Sequence, residues 1–189
     1  MKILALQASP NLDGLTATMA QEAVAGAAAA GAETELLNLC QLSLGACLQC
    51  EDGWGKCRRD SLCIIDDDFE SVRDKIAAAD GVILSTPVYF GDVSEVVKKL
   101  LDRLRRCERA GPADPRVEGR WMLGIAAAGG GGGGGPTCLV SMERYYAHIG
   151  LPVFDQLVVT RRSRDYMLKA ARASGDAFVK YIQEQQAAS

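Results

Sequence analysis

Four cysteines, Cys47, Cys50, Cys57 and Cys63, form a C-x2-C-x6-C-x5-C run within 17 residues. Four thiolates on one short loop can close on an iron–sulfur cubane or on zinc, since both take four sulfur ligands in a roughly tetrahedral array. Left free, the same thiols would be open to exchange with a disulfide. The chain has seven cysteines, an odd number, and enters a strand at once with no apolar export signal, so a disulfide framework is not expected. Cys40, Cys107 and Cys138 stand apart from the run, and each reads as a small core residue.

The second stretch able to do chemistry lies between Ala8 and Thr16, and contains Ser9, Pro10, Asn11, Asp13, Gly14 and Leu15. It separates an apolar run at 2–7, of strand length, from an Ala-rich run at 16–30, of helix length. A strand, a short turn and a helix start together aim free backbone N–H groups and a helix dipole at one point, an arrangement that suits a phosphate dianion. Ser9 and Thr16 can donate to phosphate oxygens without adding charge, as in a mononucleotide site. The same residues would also serve as no more than a βα turn and an N-cap. Neither G-x-G-x-x-G nor G-x-x-x-x-G-K-[ST] is present.

The remaining pattern supplies the scaffold. Strands are expected at 2–7, 33–39, 81–86, 120–128 and 153–159, with helices at 16–30, 67–79, from about 94, at 136–149 and at 164–185. Periodicity lapses at 40–66, a connection long enough to suggest function, and 110–119 reads as a surface loop. Seven glycines fill 129–135; polyglycine is usually a flexible linker, but directly after a buried strand it also permits main chain to approach a flat ligand closely. Short apolar strands alternating with helices predict an α/β fold: a flavodoxin-like three-layer sandwich whose five-stranded parallel sheet has the order 2-1-3-4-5. The whole chain, 1–189, is expected to be one domain with the cysteine-bearing segment inserted at about 40–66. In that order the turn after strand 1, the loop 87–94 and the glycine run meet at the carboxyl edge of the sheet, where such folds bind ligands.

A formal net charge of −3 argues against nucleic acid as a partner, and no apolar run reaches the roughly 20 residues that span a bilayer. A cytoplasmic protein is expected. Arg103, Arg105, Arg106 and Arg109 read as a solvated face or a subunit contact. Arg161, Arg162 and Arg164 fit a solvated turn better than a site for the 2′-phosphate of NADPH.

Over about residues 1–150 the chain resembles the NADPH-dependent FMN reductase family, within its iron–sulfur flavoprotein branch. The family's G-S-P-R-x-x-G-N-T stands here as Ala8-Ser9-Pro10-Asn11-Leu12-Asp13-Gly14-Leu15-Thr16. Its P-x-Y-[FW]-x-x-x-[ST], followed by K-x-x-x-D-R, stands as Pro87, Tyr89, Phe90 and Ser94, then Lys98, Asp102 and Arg103. The glycine run after strand 4 is a third likeness. The branch's compact C-x2-C-x2-C-x4–7-C is altered: Gly53 occupies the third position and the third cysteine comes late, at Cys57. Asn11 replaces the usual Arg and Leu15 the usual Asn, so two polar phosphate contacts are exchanged for one weaker group and one apolar one.

The resemblance implies FMN, with its phosphate on Ser9, Asn11, Gly14, Leu15 and Thr16 and its ring along Pro87, Val88, Tyr89, Phe90 and Gly91, with Gly129, Gly130 and Gly131 at its edge. It implies NAD(P)H as reductant and a [4Fe-4S] cluster on Cys47, Cys50, Cys57 and Cys63. No side chain need act as acid or base, because the chemistry lies on the flavin. The expected activity passes electrons from NAD(P)H, or from a reduced carrier through the cluster, to a small-molecule or protein acceptor such as a quinone. The alternative is a flavodoxin-like electron carrier without small-molecule turnover. A homodimer or homotetramer is expected.

Overall fold

A computed structural model of the chain describes residues 1–109 and 115–188. Five parallel strands, β1 (Lys2–Gln7), β2 (Glu33–Asn38), β3 (Gly81–Pro87), β4 (Trp121–Ala128) and β5 (Val153–Thr160), form one sheet in the order β2-β1-β3-β4-β5. The expected flavodoxin-like fold and strand order are therefore present. Helices α1 (Leu15–Ala29), α3 (Phe69–Ala78), α4 (Glu95–Arg109), α5 (Gly135–Ile149) and α6 (Arg164–Ala188) cover the sheet, and α2 (Lys56–Asp60) is a short helix in the cysteine segment. The surface-loop reading at 110–119 falls, over 110–114, outside the described residues.

The strands read as unbroken apolar runs because their two faces feed different cores. Ile3, Ala5 and Ile83 point towards α1 and α6, packing with Met19, Ala23, Phe178 and Ile182. Their chain neighbours Leu4, Leu6, Val82 and Leu84 point the other way, onto Phe69, Val72, Val97 and Leu100. Alternation is therefore present in space and invisible in hydropathy.

Helices α1 and α6 touch through backbone. A Cβ on Gly26 would lie 1.9 Å from Arg172 O, and one on Gly175 would lie 1.9 Å from Ala23 O. Neither carbonyl can yield without moving its helix. Gly26→Ala is therefore expected to cost about 1–3 kcal/mol in spite of alanine's better helix propensity. Thermal denaturation should register a drop of roughly 2–4 °C per kcal/mol, and an unchanged midpoint would show that the helices can separate freely.

Candidate functional site

Three loops meet at the carboxyl edge where β1 and β3 lie side by side. The turn after β1 is tied to β3 by Ala8 N–H donating to Ser85 O (2.9 Å) and by the Ser85 hydroxyl donating to Thr16 O (2.9 Å). Ser94, at the start of α4, completes the link: its N–H donates to Thr86 Oγ1 (3.0 Å) and its hydroxyl to Ala8 O (3.1 Å). The loop after β4 joins through Thr137 Oγ1, 2.8 Å from Gly91 O and 3.0 Å from Gly134 O. Ser85, Thr86 and Thr137 escape a motif search because they bind backbone. Ser94 is the exception, since it fills the [ST] position of the second motif.

Within the first turn, Ser9 Oγ accepts from Asn11 N–H (3.2 Å), and Asn11 Oδ1 accepts from Asp13 N–H (3.3 Å). Both side chains thus build the turn, while the Ser9 hydroxyl hydrogen remains available as a donor. Ser9 and Thr16 are buried, Asn11 and Asp13 exposed. Helix α1 starts at Gly14 with no side-chain cap, so its first backbone N–H groups face outwards without an intrahelical acceptor. Leu15 turns its side chain into the α1/α6 core, leaving only its N–H at the turn.

The loop after β3 is a tight hairpin. Tyr89 N–H donates to Asp92 O (2.9 Å), Asp92 N–H donates to Tyr89 O (3.1 Å), and the two residues between them have positive φ, +53° at Phe90 and +80° at Gly91. Both central residues left-handed is the type I′ geometry, which Gly91 takes freely and which costs a bulky Phe about 1–2 kcal/mol. Phe90 nonetheless sits at the tip, fully exposed, beside a half-exposed Tyr89. Strain spent on holding an aromatic ring in water is the kind of outlier that points to a ligand face. In the loop after β4, Cβ atoms built on Gly129, Gly130 and Gly131 would meet nothing within 4 Å, so no packing among the described residues requires glycine there. The edge fits FMN on these observations: unfilled donors at α1, an exposed aromatic that could cover a ring face, and a side-chain-free main chain after β4.

Cys47, Cys50, Cys57 and Cys63 line one small, partly open cavity with apolar walls that include Leu48, Leu62, Ile64 and Ile65. All four are free thiols. Helix α2 carries Cys57 to this wall from ten residues beyond Cys47, and Gly55 lets the chain pass so close that a Cβ there would lie 2.7 Å from Cys50 Sγ. The surrounding backbone is strained, with positive φ at Gln49, Glu51, Asp52 and Ser61. Among the described residues no three His, Cys, Asp or Glu side chains close on a single-ion site.

Two arginines from α4, Arg103 and Arg106, complete the cavity, which corrects for these two the reading of the helix's arginines as a solvated face or subunit contact; Arg105 and Arg109 remain at least partly exposed. Arg103 is 1 % exposed; it forks onto Asp67 (2.7 and 2.9 Å), reaches Gly45 O (3.2 Å) and lies over the Phe69 ring. Burial alone would depress the guanidinium's pKa, but Asp67 and the Cys63 thiol hold it above its ordinary value. Arg106 donates to Gly53 O and covers the Trp54 ring. Helical spacing fixes the distinction: Lys98 and Asp102 pair with each other and Tyr145 on the outer side, while Arg103 falls on the buried stripe with Leu100 and Leu104.

The isolated cysteines divide. Cys138 is core, as expected, and Cys107 is buried but also lines the cysteine cavity, where burial pushes its thiol up to about 12 and keeps it protonated. Cys40 is exposed rather than core, because the chain leaves β2 in a 3-10 turn (Leu39–Gln41) whose buried member is Leu39. Arg161, Arg162 and Arg164 lie exposed on the turn after β5 and at the start of α6.

Known proteins share the family sequence pattern and the fold of this chain. Over 105 residues the chain is 38% identical to an iron–sulfur flavoprotein of Methanocaldococcus jannaschii, a match covering 56% of this chain and 52% of that protein. The chain thus spans about half the length of the curated relatives it matches. Among solved structures, a flavone reductase superposes with a TM-score of 0.76 at 21% identity, over 98% of this chain and 64% of that one. An NAD(P)H:quinone oxidoreductase from Methanothermobacter marburgensis superposes with a TM-score of 0.75 at 15% identity, over 94% and 96%. These two likenesses concern the fold. Among the described residues no helix is long and apolar enough to cross a membrane. The profile of the family described as NADPH-dependent FMN reductase matches residues 1–163, and the chain belongs to that family.

Proposed function

We propose that this chain is an FMN-dependent oxidoreductase that is reduced by NAD(P)H, or by a carrier through a [4Fe-4S] cluster, and delivers electrons to a second acceptor such as a quinone or an electron-transfer protein. The observation that carries the reading is Phe90, fully exposed at φ +53° on a hairpin at the edge where the turn after β1 and the glycine run after β4 also arrive. When bound, the flavin accepts hydride and releases electrons singly or in pairs, and the cluster supplies one-electron steps. The chain's part is positional. Uncapped N–H groups of α1, with the hydroxyls of Ser9 and Thr16, hold the phosphate; Tyr89 and Phe90 cover a ring face and exclude water from it; the glycine run brings backbone donors to the ring edge.

The cysteine cavity supports the cluster as its second cofactor. Cys47, Cys50, Cys57 and Cys63 line one space whose described wall residues include no carboxylate or imidazole, a soft donor set that suits iron and sulfide. The half-exposed Tyr89 and exposed Phe90 also suit a homodimer or tetramer in which a second copy closes over the flavin edge.

The test is an absorption spectrum of protein purified without oxygen, with flavin, iron and sulfide counted per chain. Flavin bands on a broad iron–sulfur absorbance, with about four irons, are expected. The Ser9→Ala/Thr16→Ala variant should lose most FMN binding, and retention of full flavin would remove both residues from the site. Bleaching by NADPH with turnover on a quinone favours the enzyme. Inertness to both pyridine nucleotides would leave a flavodoxin-like carrier, and no flavin after FMN addition would defeat the proposal.

A further inference from the structure

The cysteine cavity has a built-in donor that the ion pair behind it does not use. Arg103 spends its two terminal nitrogens on Asp67 and Gly45 O, and its planar face on Phe69, yet its Nε–H is buried with no acceptor at hydrogen-bond distance among the described residues. A buried charged donor left unpaired costs more than the 1–3 kcal/mol of a neutral one, and such groups in folded proteins nearly always have a partner when all components are present.

Arg103 and Cys63 line the same cavity, and the Cys63 thiol is one of the groups that hold the guanidinium's pKa up. Cys63 is itself fixed, its N–H donating to Glu70 Oε1 (3.1 Å), so that corner of the cavity does not drift. Arg106, the other cation of the wall, is only half buried and is committed to Gly53 O and Trp54 at the mouth.

We propose that Arg103 Nε–H is the hydrogen-bond donor to the sulfur at the Cys63 corner of the cavity, and that it sets how readily a cluster held there accepts an electron. Arg103 is thus a positioning residue that acts through sulfur. The inference rests on the cluster reading above. One electron enters from an external reductant, and no covalent bond forms or breaks. The added negative charge falls partly on sulfur, so an N–H···S bond is stronger in the reduced state and raises the potential. Its removal should lower the potential while leaving the ligand set intact.

The test uses the full chain, purified without oxygen and reduced stepwise with dithionite. Arg103→Lys keeps the charge opposite Asp67 and removes Nε–H. Its iron and sulfide content should match the wild type, and at the wild-type midpoint its reduced-to-oxidised ratio should fall about tenfold, equivalent to about 59 mV for a one-electron couple. A second measurement needs no variant of Arg103. Pulsed electron paramagnetic resonance of reduced protein carrying nitrogen-15 in its arginines should show a nitrogen coupling that persists in Arg106→Lys.

An unchanged ratio in an iron-replete Arg103→Lys protein overturns the inference, as does reduced wild-type protein with iron but no arginine coupling, or a coupling that disappears with Arg106. If Arg103→Lys does not fold, the labelled wild-type and Arg106→Lys proteins decide the matter. Wild-type protein without iron overturns the cluster reading and this inference together. Iron without the coupling overturns this inference alone.

Discussion

Replacing Cys57 by serine is expected to remove most of the iron and sulfide from the protein while leaving its flavin content unchanged. Iron–sulfur clusters select soft thiolate ligands, and a serine oxygen is a harder donor on a shorter arm. Cys57 is 8 % exposed and reaches the cavity only because α2 carries it there. The position where the branch places its third cysteine is occupied by Gly53, whose φ is +97° and whose carbonyl accepts from Arg106. A cysteine introduced there would have to adopt a conformation that L-residues reach only at a cost of about 1–2 kcal/mol. Gly53→Cys added to Cys57→Ser should therefore restore iron only in part. The strained residues Gln49, Glu51 and Asp52 should also relax once nothing holds the loop, so limited proteolysis should cut near 49–53 faster in Cys57→Ser. Full iron in the single variant would exclude Cys57 as a ligand. Flavin serves as the control, since its proposed site lies at the ends of β1, β3 and β4 and uses none of the cysteine segment.

The two halves of the site differ in how much of them can be read from residue order. The sheet was legible because parallel strands covered on both faces are continuous apolar runs, as at 81–84, and because Pro87 marks the end of β3. The meeting of three loops at one edge followed from strand order alone. Phe90's backbone was not legible: only the Gly that follows it hints at a turn, and positive φ at a Phe contradicts local preference. Arg103 was misplaced for a different reason. Its neighbours Arg105, Arg106 and Arg109 make a charged run, and a buried cation is recognised only from its partner, Asp67, which lies 36 residues away. The close approaches of Gly26 to Arg172 and of Gly175 to Ala23 span a still longer separation. For Arg103 and the two helix glycines, tertiary partners decided the outcome, and they leave no local signature.

Glu108→Gln should cost about 3–5 kcal/mol of folding free energy, the loss expected when one member of a buried ion pair is neutralised and the other charge is left behind. Arg73 and Glu108 are both fully buried side chains, with Arg73 Nε 2.5 Å from Glu108 Oε1. Each also holds backbone. Glu108 Oε2 accepts from Arg116 N–H (2.6 Å) and Val117 N–H (3.1 Å), which fixes the approach to β4. Arg73 NH1 donates to Ser61 O (2.6 Å), where the chain leaves α2 with φ +57°. Glu70, 3.3 Å from the same guanidinium, is partly exposed and offsets only a fraction of the lost charge. Denaturant unfolding should show the midpoint falling at unchanged slope, and a loss below about 1 kcal/mol would mean that Glu70 or water takes over the charge. Replacing both residues by apolar ones, often harmless for a buried pair, should not rescue this one, because Arg73→Met/Glu108→Leu strands two N–H groups and the Ser61 carbonyl. Since Ser61 ends the helix that presents Cys57, Glu108→Gln should also release iron faster to a chelator while flavin stays bound. Loss of both cofactors in parallel would instead mean that the variant unfolds as a whole.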